Sequence, residues 1–317
     1  MSKITLLKLD KSVGRDAPIK FLREDQEEFI LPRKIYGKLD ETVDRVLKTF
    51  EERDNNLGVF LSGIKGNSKT TTGKMICNKT KLPVLLITEP FVGSEFKSFL
   101  SNIKEEIIVF IDEFEKVYNT KELQQEFLSI LDGVFQSKKM FIFTSNSEDI
   151  NEFLKNRPSR IFYHFKYNNL DPETIDEIID SELKNKSFEE DLRAVLMILG
   201  TISIDVILNL IDEVNRFDLS PKLMVKGLNI QVEQTHFNVT LYVKGEMVQT
   251  RCDFNPLTQD YFVLNYKNDK GHYGWHQGNF SDYVMYTKDG NFIFESSKDK
   301  MVFMPYKETK FELCNIN

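Results

Sequence analysis

The chain has 317 residues, enough for two or three domains, and its 41% hydrophobic and 29% charged content is that of a globular protein rather than a disordered one. No run approaches the roughly 18 uninterrupted apolar residues of a spanning helix, and the start lacks an apolar stretch followed by a small-residue cleavage site, so neither a membrane segment nor a secretory signal is expected. A net charge of -7 argues against a broad electrostatic surface for nucleic acid, and three scattered cysteines (Cys77, Cys252, Cys314) form neither a disulfide framework nor a metal-ligand spacing, which fits a reducing cytoplasm.

Residues 1–35 read as an irregular leader with one short apolar run at 4–9. Residues 38–54 carry Leu39, Val43, Val46, Leu47 and Phe50 at three- and four-residue steps, which predicts a helix that Asp54-Asn55-Asn56 ends. Five short apolar runs follow, at 57–61, 82–87, 107–111, 140–143 and 161–165. Several are apolar on consecutive residues, as in strands covered on both faces, so the fold class predicted is α/β, a parallel sheet with helices on both faces. At Asp171-Pro172-Glu173, a capped helix start, the period changes. The sets Ile175, Ile178, Ile179, Leu183, then Leu192, Val195, Leu196, Leu199, then Ile207, Leu210, Ile211, Val214 predict a small all-α segment over 171–227. From 233 to 317 alternating Phe237, Val239, Leu241 and Val243, with the turn dipeptide Asp289-Gly290, predict an antiparallel β domain.

Gly63-Ile64-Lys65-Gly66-Asn67-Ser68-Lys69-Thr70-Thr71 follows the first of the five runs and opens a helix. A phosphate-binding loop sits in that place: backbone N–H groups and the helix start cradle phosphates, the lysine neutralises their charge and the first threonine hydroxyl ligates Mg²⁺. Gly63, Gly66, Asn67, Ser68, Lys69, Thr70 and Thr71 are thus candidate ATP contacts, although a plain strand-to-helix turn also uses glycines. The strict pattern has glycine where Ser68 stands. Asp112 and Glu113 end the run at 107–111. Paired acids there suit an Asp that orients Mg²⁺ with Thr70 and a Glu that polarises water, against the alternative of a solvated acidic loop. Asn146 ends the run at 140–143; with that strand between the other two it would lie near the γ-phosphate. Arg157 and Arg160, just before the last run, are placed to stabilise phosphoryl charge in a neighbouring subunit, although an isolated Arg more often makes a surface ion pair.

The order Gly63 to Thr70, then 107–113, Leu131-Asp132-Gly133-Val134, Thr144-Ser145-Asn146 and Arg157-Pro158-Ser159-Arg160 resembles AAA+ ATPases, in particular the AAA clade in the strict sense, over roughly residues 36–226. The resemblance implies a P-loop domain at 36–170, a helical lid at 171–227, ATP with Mg²⁺, and a homohexamer in which Arg157 and Arg160 reach the neighbour's ATP. Ser68 and Ser159 replace family glycines, and 203–205 lacks the lid arginine of clamp loaders. Phe91-Val92-Gly93 resembles the pore loop with which such rings grip polypeptide, so a protein substrate is expected. Core packing of Phe91 after the Pro90 turn is the alternative. A DNA motor or loader and a non-hydrolysing nucleotide-gated scaffold are the other readings. His272-Tyr273-Gly274-Trp275-His276 reads as a surface loop rather than a metal site.

Overall fold

The computed structural model describes residues 4–10, 19–132, 135–146, 159–199, 202–224, 227, 236–243, 245–268 and 270–306. The chain divides into two compact units, Met1–Thr174 and Ile175–Asn317.

The first unit is built on a seven-stranded sheet. Its strands in chain order are β1 (Ile4–Asp10), β2 (Ile19–Gln26), β3 (Leu57–Gly63), β4 (Val84–Ile87), β5 (Ile107–Ile111), β6 (Lys139–Ser145) and β7 (Tyr163–Tyr167). In space the order is β2-β1-β4-β5-β6-β3-β7; only β2 runs antiparallel, paired with β1. The helices are α1 (Leu39–Glu52), α2 (Lys69–Thr80), α3 (Gly93–Asn102), α4 (Phe114–Val117) and α5 (Lys121–Leu131).

Every residue of β3, β5 and β6 is buried, which is why these runs read as continuously apolar. The pleat sends alternate side chains to two separate cores. On one face Val59, Leu61, Ile108, Phe110 and Ile142 meet Val43, Val46 and Phe50 of α1 and Met75, Ile76 and Cys77 of α2. On the other, Phe60, Val109, Ile111, Phe141 and Phe143 meet Phe96 and Leu100 of α3, Phe114 of α4 and Phe127 and Leu128 of α5. The edge strand β7 alternates half-buried and exposed residues instead.

Two expectations are corrected. The leader holds two strands, β1 and β2: β1 pairs in parallel with β4, from Ile4 opposite Val84 to Leu7 opposite Ile87, and so lengthens the sheet. Phe91 is 2% exposed. Its ring packs on Phe96 at 5.6 Å, and Tyr118 Oη donates to its carbonyl at 3.0 Å. It is a core residue, so the pore-loop reading fails.

In the second unit, α6 (Pro172–Glu182), α7 (Glu189–Ile198), α8 (Ile204–Phe217) and the short α9 (Pro221–Met224) precede seven strands. These are β8 (His236–Val243), β9 (Glu246–Cys252), β10 (Tyr261–Lys267), β11 (Tyr273–Asn279), β12 (Val284–Lys288), β13 (Asn291–Glu295) and β14 (Lys300–Tyr306). They form a five-stranded antiparallel sheet, β12-β13-β14-β8-β9, and a β10-β11 ribbon. Asp171, just ahead of α6, accepts from the Thr174 backbone N–H at 2.8 Å, the cap read from the sequence. The apolar sets of α6, α7 and α8 are buried, apart from Ile175, which is half-buried. Asp289 (φ 51°) and Gly290 (φ 74°) both take the left-handed conformation that a two-residue hairpin turn requires. Residues 273–276 lie in β11 rather than in a loop, and His276 Nε2 is 3.0 Å from Tyr283 Oη. The segments 171–227 and 233–317, read from the sequence as lid and β domain, thus fall in one compact unit apart from the first residues of α6.

Candidate active site

The site lies at the C-terminal ends of β3, β5 and β6, where parallel strands release their chains into loops. After β3 the chain must turn sharply into α2. Gly63 makes the exit possible: its φ is +132°, and a Cβ there would sit 2.4 Å from the Tyr167 carbonyl oxygen. The Ile64 N–H then donates to that same carbonyl at 2.9 Å. Gly66 follows with φ 83°. Asn67, 2% exposed, donates its side-chain amide to the Asn168 carbonyl at 3.0 Å, which ties the loop to the end of β7. Ser68 stands at φ 65°, immediately before α2. The conformation itself, left-handed and awkward for a residue with a Cβ, is a reason for glycine at this position.

Lys69 and Thr70 open α2, with Thr71 half-buried beside them. The Lys69 ammonium donates to the carbonyls of Gly63 at 2.9 Å and Ile64 at 2.6 Å, so it lies over the loop's own backbone. Burial lowers its pKa, and the charges of Glu115, Asp112 and Glu113 oppose that. Thr70 Oγ1 donates to Asp112 Oδ1 at 2.7 Å. Thr144 Oγ1 donates to the same oxygen at 2.6 Å and accepts the Glu113 backbone N–H at 2.8 Å.

Glu113, like Ser68, is in the left-handed region, with φ 52°. Its Oε1 accepts from Lys116 Nζ at 2.6 Å and from Asn146 Nδ2 at 3.2 Å. The Lys116 contact holds its carboxyl below the usual range; partial burial pulls the other way, and Asn146 and Lys65 assist the lowering. The Asn146 backbone N–H donates to Glu115 Oε1 at 3.0 Å. β6 lies between β5 and β3, the strand order assumed for Asn146, and its side chain meets Glu113.

The arginines fare differently. Arg157 lies outside the described residues, as do Gly133 and Val134. Arg160 grips Asp132 of its own chain in a two-pronged pair: Nε donates to Oδ1 at 2.6 Å and the second guanidinium nitrogen donates to Oδ2. Its side chain is 11% exposed. Two participants went unmarked in the sequence. These are Thr144, at a strand end, and Lys116, three residues after Glu113; a hydroxyl or a lysine in such a place carries no signal by type.

A glycine-bearing loop opening a helix, a lysine beside it, and a threonine of that helix bonded to an Asp at the end of β5 fit a P-loop nucleotide-binding fold. Residues 59–167 match the model of the ATPase family associated with various cellular activities (AAA), which agrees with that fold. No curated protein matches the chain. Among the described residues, no helix is long and apolar enough to cross a membrane.

Proposed function

We propose that the chain hydrolyses ATP with Mg²⁺. The observation that carries this reading is the Thr70–Asp112 hydrogen bond, which joins the end of the phosphate loop to the paired acids across two strands. The donor set fits the cation: a hydroxyl and a carboxylate are the hard oxygen ligands Mg²⁺ selects, and Thr70 and Asp112 would hold it. Bound there, Mg²⁺ would neutralise charge on the β- and γ-phosphate oxygens.

The remaining parts belong to the chain. The N–H groups of the loop and of the first turn of α2 bind phosphate oxygens, and Lys69 exchanges its carbonyl partners for them. Glu113, ionised at neutral pH, accepts the proton of the attacking water. Asn146 orients that carboxylate through the hydrogen bond it already makes. Arg160, held by Asp132, braces the chain ahead of β7. Assembly into a ring of six, with Arg157 reaching a neighbour's nucleotide, rests on the AAA likeness. A polypeptide substrate rested on Phe91 and is not part of the reading.

Fluorescent ATP-analogue titration with and without Mg²⁺, run beside light scattering, tests it. The parent binds and Mg²⁺ tightens the binding; Lys69→Ala loses it; nucleotide raises the mass of the particle. A parent that ignores ATP at millimolar concentration overturns the reading.

A further inference from the structure

We propose that Thr144 is a positioning residue for hydrolysis, a hydroxyl that fixes Asp112 and Glu113 relative to each other. The inference deepens the proposed ATPase reading and rests on it. Thr144 is 1% exposed and follows the apolar run of β6, in the middle of the sheet. A hydroxyl there costs stability unless it is paired. Among the described residues its side chain pairs with the two acids: the proton goes to Asp112 Oδ1 at 2.6 Å, and a lone pair takes the Glu113 N–H at 2.8 Å.

Each contact settles a different question. Asp112 Oδ1 is held by two hydroxyls, and Thr70, on the phosphate loop's helix, is the other. Thr144 is the one that comes from the sheet, so it holds the carboxylate from the rigid side. Glu113 has a left-handed backbone, φ 52°, which a non-glycine residue keeps only when its surroundings impose it. Thr144 imposes it by holding that residue's N–H. The two acids are neighbours in sequence and have different tasks, and the angle between them is set where this hydroxyl meets both.

Thr144→Val keeps the shape and removes the hydroxyl; Thr144→Ser keeps the hydroxyl and removes a methyl; Thr144→Ala serves if the valine variant misfolds. Two quantities are read. One is the Mg²⁺ midpoint for binding a non-hydrolysable ATP analogue. The other is kcat against KM for ATP. The valine variant is expected to raise the Mg²⁺ midpoint and to lower kcat by about 100-fold, the scale of a misplaced catalytic group, with the smaller change in KM. Serine is expected to restore both. A valine variant that matches the parent in both quantities, or a serine variant as impaired as valine, overturns the assignment. A parent without turnover contradicts the ATPase reading instead, while the Mg²⁺ midpoints still decide the role of Thr144.

Discussion

Ser68 shows how one side chain tunes the loop. At φ 65° it pays for a Cβ in a conformation glycine adopts freely. Ser68→Gly should relieve that strain, and the added freedom of the unfolded chain should offset part of the gain. The expected net effect is a stabilisation of about 0.5–1 kcal/mol, read as a rise in thermal midpoint. Phe91 runs the other way. Its ring is buried against Phe96, so Phe91→Ala should cost about 3–5 kcal/mol, seen by denaturant unfolding. The residue types of the site were legible because phosphate and Mg²⁺ chemistry demands them in a fixed order along strand ends. Phe91 was not. An aromatic before a glycine looks alike on a pore loop and ahead of a helix, and its backbone is held by Tyr118, which lies 27 positions further along the chain.

At the scale of elements, the sequence marked β3, β5 and β6 through their unbroken apolar runs, because burial on both faces leaves no polar position to blur them. It missed β1 and β2. A strand at the edge of a sheet gains its place from its partner's backbone: β2 is held by β1, and β1 in turn by β4. Deleting residues 1–26 should therefore bare the edge of β4, lowering the thermal midpoint and promoting self-association by light scattering; an unchanged, monodisperse product would contradict that pairing. In the second unit the β12–β13 turn is tied to α7. Asp191 accepts Lys222 Nζ at 2.8 Å and hydroxyl protons from Ser220 and Thr287, each at 2.5 Å. Burial alone would raise its pKa, but Lys222 and the two hydroxyls outweigh it, so the carboxyl titrates below its ordinary value. A depressed folded-state pKa stabilises above the unfolded value, about 4, and that contribution disappears as the pH falls through the folded value. Asp191→Asn should accordingly cost about 2 kcal/mol at pH 7, between the effects of exposed and buried pairs, and progressively less in acid. Unfolding curves across pH 2–7, compared with the parent, check the sign.

For the molecule as a whole, one unit holds the candidate site and the other joins helices and a β sheet in one body. Length and composition announced several domains, and the change of period at 171 marked the helices. The union of helices and sheet was not legible, because it depends on contacts such as Thr287 with Asp191, 96 residues apart. The central claim, that the loop at Lys69 and the acids at 112–113 form one hydrolytic centre, is tested most directly by phosphate release from ATP. The parent and Glu113→Gln are compared under conditions where both bind nucleotide. The account predicts steady release by the parent and a loss of at least about 100-fold in the variant, because the water loses its base while Asp112 and Thr70 stay in place. Equal rates in the two proteins, or a parent that binds ATP and releases no phosphate, would contradict it.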